Sequence, residues 1–263
     1  MPFIEQDGAK IYYEIHGEEG PWVTLVNGHT RTSHDFKMFT RNLLKQGFRT
    51  ILFDNRGAGK TEITREFSLD EIMSDIASIW QNEQVESTHV LGISMGGWIC
   101  QGLAVKYPQV IDSLVLVSTC QDKGPTSQNQ DSWGETLEAI QSKLSLYFSE
   151  DFVAKNSFLV QSMSKQILKQ NQGNSFEESA KMQRNAMAIF ELENLAEQIK
   201  TKTLVIHGGE DRIIPSNQAM KLHDLINESK LEIIEEVGHL LLAECPNKLY
   251  QITIDFFKSA NAS

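Results

Sequence analysis

The sequence predicts an α/β fold: a mostly parallel sheet flanked by helices and interrupted once by a helical insertion. Three observations predict it. Short apolar runs recur along the chain, most of them continuous and ending in Gly, Asn, Asp or Ser, as strands covered on both faces do. Amphipathic stretches of helical period lie between them, and that alternation implies parallel strands joined by right-handed crossovers. The length, 263 residues, is enough to bury one large core without disulfides or a structural metal.

Taken in order, "KIYYEIHG" alternates and is rich in β-formers, which marks an early antiparallel strand. "WVTLVNG", "RTILFD", "THVLGIS", "SLVLVS", "KTLVIHG" and "LEIIEEV" follow, and most of them read as central parallel strands. "SLDEIMSDIASIWQNE" is a helix that opens with Ser68 and Glu71, the spacing of a capping box. Its apolar face is Leu69, Ile72, Met73, Ile76, Ile79 and Trp80. "GGWICQGLAVKYP" stops at Pro108, and "PNKLYQITIDFFKS" begins at Pro246, where helices tolerate proline. The rhythm breaks over residues 123–199. Trp133, Leu137, Ile140, Leu144 and Phe148 mark one helical stripe there, and Met163, Ile167 and Leu168 another, with polar stretches between. The chain therefore divides into a core, residues 1–122 and 200–263, and a helical insertion, residues 123–199.

Composition excludes several classes of function. The net charge of −11 disfavours nucleic acid and anionic membrane surfaces, which attract clustered Lys and Arg. Three cysteines, Cys100, Cys120 and Cys245, form neither an even framework nor a C-x-x-C pair, so no disulfide or structural zinc is expected. The first residues lack a basic segment followed by an apolar one, and no run of about 18 apolar residues occurs. No signal peptide or membrane span is expected, and the cytoplasm is the expected location. The sequence assigns no oligomeric state.

The chemistry centres on "GISMGG", Gly92 to Gly97, which follows a strand and opens a helix. In G-x-S-x-G the serine sits on a strained strand-to-helix turn, and small neighbours let backbone pass close by. Ser94 would then project above the sheet at a helix N-terminus, which favours developing negative charge. A serine nucleophile needs a base. His239 follows a strand-like run at a Gly-His step and is the candidate. His16, His89 and His223 read as structural or solvent-facing, and His207 as packing under the site. The base needs an acid to hold its tautomer. Asp211 in "HGGEDRIIP" follows another strand end; Glu210 and Asp122 are alternatives. All three chosen residues fall at C-terminal ends of predicted strands, where sites of open α/β sheets lie.

Together these motifs, in the order Ser94, Asp211, His239, resemble the α/β-hydrolase family over essentially the whole chain, with "FDNRGAGKT" and "HGGEDRIIP" closest to its esterase and enol-lactonase branch. The resemblance implies an eight-stranded sheet and a helical lid after the sixth strand, matching the insertion. It also implies an oxyanion hole formed by the backbone N–H groups of His29 and Met95, each worth about 3 kcal/mol in the transition state. One departure stands out: Asn27 replaces the histidine usual before Gly28, which is tolerable where Asn27 supports the loop. Trp98, Cys120 and Trp133 are expected to shape substrate binding, with the lid around Met163 to Met187. Arg31 is expected to pair with Asp35 rather than bind a substrate carboxylate, and His34 lies nearby.

The expected activity is hydrolysis of a small to medium carboxylic ester through an acyl-enzyme, with no cofactor, no metal and a small-molecule acyl substrate as partner. Lactone opening, thioester cleavage, C–C bond hydrolysis and perhydrolysis fit the same residues. A binding protein of the same fold is the alternative of another class. A nucleotide site at "DNRGAGKTE" is rejected, because Asp54 stands where G-x-x-x-x-G-K-[ST] needs its first glycine.

Overall fold

The computed structural model describes residues 3–122, 133–134, 136–170 and 174–261. The polar stretch 123–132, assigned to the insertion from sequence, lies outside the described residues. The sheet runs in the order β1 (Phe3–Gln6), β2 (Ala9–His16), β4 (Arg49–Phe53), β3 (Trp22–Val26), β6 (Thr88–Ile93), β7 (Ile111–Val117), β8 (Thr203–Gly208), β9 (Lys230–Ile234). β2 pairs antiparallel with β1 and β4, and every pairing from β4 to β9 is parallel.

The expected count of eight strands is corrected to nine among the described residues. The extra one, β5 (Glu62–Ile63), pairs antiparallel with Ala9 and Lys10 of β2. Two residues are too short to carry a periodicity. The edge also departs from expectation: β9 alternates exposed and partly covered residues and is not a fully buried run.

Helices cover both faces, which is why β3, β6 and β8 are buried at every position. One face carries α2 (Leu69–Asn82) and α3 (Met95–Lys106), whose Ile72, Ile76, Ile79, Ile99 and Leu103 pack on Val26, Val90 and Leu116. The other carries α1 (Lys37–Lys45) and α11 (Pro246–Asn261), with Phe39, Leu43, Leu249 and Phe257 against Leu25, Leu91 and Val115. Each such apolar side chain contributes about 1.5–3 kcal/mol on burial. The capping box of α2 forms as the sequence predicts: Glu71 N donates to Ser68 Oγ and Ser68 N to Glu71 Oε2.

Between β7 and β8 lie α4 (Leu137–Ser145), α5 (Glu150–Lys155), α6 (Ser157–Gln170) and α7 (Asn174–Ile189), followed by the short α8 (Leu195–Gln198). Ile140, Leu144, Phe148, Val160 and Ile167 give this insertion its own small core, with Leu240 and Ala243 of the sheet domain packed against it. After β8, α9 (Asn217–Leu225) and the single turn α10 (Leu241–Glu244) complete the chain's helices among the described residues. None of these helices is long and apolar enough to cross a membrane.

The loop after β4 is anchored by an ion pair in the interior. Arg56 and Asp75 are both almost wholly buried and joined bidentately, Nε to Oδ2 at 2.7 Å and Nη2 to Oδ1 at 2.8 Å. Arg56 Nη1 also donates to Asp7 O at 2.8 Å. Removing Asp75 leaves the buried Arg56 charge with only the longer contact to Glu71 Oε1, at 3.5 Å, as an ionic partner. Asp75→Ala should therefore lower unfolding free energy by about 3 kcal/mol, read from the urea midpoint at constant m-value.

Candidate active site

Ser94 alone turns the chain from β6 into α3, at φ 55° and ψ −119°. That conformation is strained for a residue with a Cβ. Glycines stand two positions before it and two and three after it because nothing larger fits. A Cβ on Gly92 would stand 2.4 Å from Gly96 O, one on Gly96 2.3 Å from Val26 O, and one on Gly97 2.5 Å from the Thr119 side chain. Three hydrogen bonds hold the turn: Ser94 N to Val117 O at 2.9 Å, and Gly97 N and Thr119 Oγ1 to Ser94 O, each at 2.8 Å. Ser94 lines a cavity of about 160 Å³.

His239 lies on the loop between β9 and α10 and lines the same cavity. Its N–H donates to Tyr147 O at 2.9 Å, and its carbonyl accepts from Ser118 Oγ at 3.0 Å. Its Nδ1 lies 2.7 Å from Asp211 Oδ2. With Nδ1–H given to the carboxylate, Nε2 is left as the acceptor facing the cavity. No hydrogen bond joins Ser94 Oγ to His239 among the described residues; such bonds commonly tighten only when substrate is bound.

Asp211 is saturated with donors. Oδ1 accepts from Ile213 N and Ile214 N, both at 2.8 Å, and Oδ2 lies 3.2 Å from His207 Nε2 as well as beside His239. Burial alone would raise its pKa. The adjacent His239 charge and the hydrogen bonds from His207 and His239 outweigh burial and hold the carboxyl well below the usual range. His207 is fully buried beneath the site and also reaches Ile214 O at 2.8 Å.

The loop after β3 brings backbone close to Ser94: a Cβ on Gly28 would lie 3.2 Å from Ser94 Cβ. Asn27 supports this loop. Its Nδ2 donates to Thr32 O, and its carbonyl accepts from Asn55 Nδ2 at 2.9 Å. Among the described residues, the backbone N–H groups of His29 and Met95 have no partner within the protein. The His29 imidazole reaches Ala180 O at 3.0 Å, and burial pulls its pKa down to about 4, so the ring is neutral and donates.

The family model for serine aminopeptidases of the S33 type matches residues 18–246. The chain belongs to this family of α/β hydrolases. A proline iminopeptidase of Pestalotiopsis fici, PfmaB, is 27% identical over 271 residues, covering 93% of this chain and 94% of its own. The 3-oxoadipate enol-lactonase 1 of Acinetobacter baylyi is 24% identical over 263 residues, covering 97% and 95%. Among solved structures, MGS-M2, an α/β hydrolase from a Medee basin deep-sea metagenome library, matches with a TM-score of 0.91 at 19% identity, covering 98% of this chain and 97% of its own. The protein is a hydrolase.

The hydrolase does not bring all the expected substrate-binding residues to the cavity. Trp133 lines it, stacked on Tyr147 with ring centroids 5.4 Å apart. Trp98 and Cys120 do not: both are buried in the core, where Trp98 Nε1 donates to Cys120 Sγ at 3.2 Å. α3 is buried on nearly every side, so a position one turn past Ser94 turns inward. Burial pushes the Cys120 thiol up to about 12 and Cys245 to about 11, and lifts Cys100 as well, which disfavours the thiolate form of each.

Arg31 pairs with Asp35 as expected, Nη2 to Oδ1 at 2.8 Å, and both line the cavity. His34 is exposed, and Asp122 is engaged by Lys221 at 3.4 Å. Sequence reasoning missed Tyr147, whose ring meets the His239 ring edge-on at 5.5 Å. It also missed Glu244, which accepts from Gly238 N and Ser149 Oγ, both at 2.8 Å. A backbone acceptor and a carboxylate at the end of a single helical turn leave no periodic signal. No group of three or more His, Cys, Asp or Glu placed to hold a metal occurs among the described residues.

The Asp211 charge has a stability consequence. A carboxyl whose folded pKa is depressed stabilises the fold fully above its unfolded pKa, about 3.9, and loses that contribution as pH falls below it. Asp211→Asn should be less stable than the parent near neutral pH, with the gap closing below about pH 4; urea titrations of both proteins across that range measure it.

Proposed function

We propose that this hydrolase cleaves a carboxylic ester of a small to medium acyl substrate through an acyl-enzyme at Ser94. The observation that carries the reading is the strained Ser94 turn opening into a cavity shared with His239, itself bonded to Asp211 at 2.7 Å. Ser94 Oγ attacks the acyl carbon while His239 Nε2 takes its proton. Asp211 holds the imidazole in the required tautomer and stabilises the imidazolium. The unpartnered N–H groups of His29 and Met95 form the oxyanion hole, each contributing about 3 kcal/mol to the transition state. His239 then protonates the leaving alcohol, and water resolves the acyl-enzyme. The helices of residues 123–199 act as the lid, with Trp133 and Met163 over the cavity.

Cavity size and charge support a small, uncharged acyl group. About 160 Å³ is close to the roughly 150 Å³ that admits a benzene ring in an engineered cavity. Much of the wall is apolar, including Leu144, Met163, Ile213 and Leu240, and the guanidinium of Arg31 is already neutralised by Asp35. Lactone opening on the same residues is the second reading, supported by the likeness to the Acinetobacter enol-lactonase.

Ser94→Ala should lower turnover of p-nitrophenyl acetate by about 10⁴-fold or more while leaving the circular dichroism spectrum unchanged; retained turnover would refute the mechanism. Across a panel of esters, lactones, thioesters and aminoacyl amides, p-nitrophenyl acetate and butyrate should be turned over fastest. Lactones far ahead of open esters would reverse the order of the two readings, and ligand binding without turnover of any acyl compound would point to a binding protein.

A further inference from the structure

Helix α7 of the insertion does more than sit above the site. Its Gln183, wholly buried, accepts from Thr30 N at 2.7 Å and donates from Nε2 to Arg56 O at 2.8 Å. One turn earlier, Ala180 O receives the His29 imidazole. Thr30 follows His29, which lines the cavity and whose N–H has no partner among the described residues, and it stands at φ 61°, a left-handed conformation that a β-branched side chain resists. Such a conformation persists only where neighbours over-determine it. The core supplies the Arg31 N to Gly28 O bond and the Asn27 to Thr32 bond. The Thr30 N–H itself is held from the insertion, by Gln183.

We infer that Gln183 is a positioning residue for the oxyanion loop. Its amide locks Thr30, and through it the His29 peptide, to the loop carrying Arg56. Docking of α7 on the core and alignment of the oxyanion donor are then a single event. No other side-chain amide or hydroxyl among the described residues bonds to Thr30. The inference rests on the reading of Ser94 as nucleophile and the His29 N–H as oxyanion donor. Losing the amide leaves the cavity walls in place but lets the donor drift, so transition-state binding suffers more than substrate binding.

Steady-state kinetics on p-nitrophenyl acetate test this with Gln183→Met, Gln183→Glu and Ser94→Ala. Gln183→Met should lower kcat about 10- to 100-fold with KM changed by no more than about twofold. The Ki of a trifluoromethyl ketone, whose adduct with Ser94 carries the oxyanion, should rise by the same factor. Gln183→Glu offers a rescue: the protonated carboxyl is the isostere of the amide, and the ionised one repels Arg56 O. Its kcat relative to the parent should climb as pH falls from about 8 to about 5.5, the range in which a buried Glu protonates. A Gln183→Met kcat within about twofold of the parent, beside an inactive Ser94→Ala, overturns the inference. So does a pH-independent Gln183→Glu ratio, which decides the matter alone where Gln183→Met does not fold. An active Ser94→Ala overturns the underlying reading instead.

Discussion

The backbone of Ser94, at φ 55° and ψ −119°, is the constraint to which the surrounding structure answers. A residue held there costs about 1–3 kcal/mol, and it stays there because its surroundings permit no other path. β3, β6 and β7 are buried along almost their whole length, so the strand ends beneath Ser94 cannot shift. Carbonyls of Val26 and Asn27 crowd Gly96 so closely that a single methyl would overlap them. The strain is thus carried by sheet packing, and the same packing that stabilises the fold keeps the serine exposed to the cavity.

The insertion is a structural part of the site. Tyr147 O accepts both His239 N and Leu240 N, so the carbonyl of one insertion residue fixes the loop carrying the imidazole. Glu244 ties Gly238 N to Ser149, and Gly238 has no room for a side chain because Phe148 backbone lies against it. Arg212, next to Asp211, donates to Ser145 O at 2.7 Å and Phe148 O at 2.9 Å. Residues 145–149 therefore contact the loops of both Asp211 and His239. The orientation of the imidazole is a joint property of sheet and insertion.

What was legible in the sequence follows from how local its cause is. Ser94 was readable because its turn demands glycines at set offsets, and Asp211 and His239 because strand runs end just before them. The capping box of α2 was readable for the same reason. Trp98 misled because α3 is buried all round, so residue type does not say which side faces the cavity; Cys120, just past β7, is drawn into the core beneath the Trp98 indole. Tyr147 acts largely through its carbonyl, which every residue possesses. Gln183 bonds to Thr30 and Arg56, more than a hundred positions away, and no short motif records such a pairing. β5 escaped because two residues are too few to carry a periodicity.

The stretch "DNRGAGKTE" shows how a local likeness is resolved by its neighbours. It resembles a phosphate-binding loop, and one backbone N–H within it does meet an anion. That anion is the chain's own: Asp54 Oδ2 accepts from Lys60 N at 2.8 Å and Oδ1 from Ser33 N at 2.7 Å. Gly59, at φ 58°, is required because a Cβ would lie 2.0 Å from Asp54 Oδ2. The carboxylate thus fills the space a phosphate would need. Its bond to Ser33 also anchors the short 3-10 turn Ser33–Phe36, which carries Asp35 and hence the ion pair with Arg31 at the cavity wall. With an aspartate in place of the first glycine the stretch is a brace, and the brace holds the turn that brings the Arg31–Asp35 pair to the cavity wall.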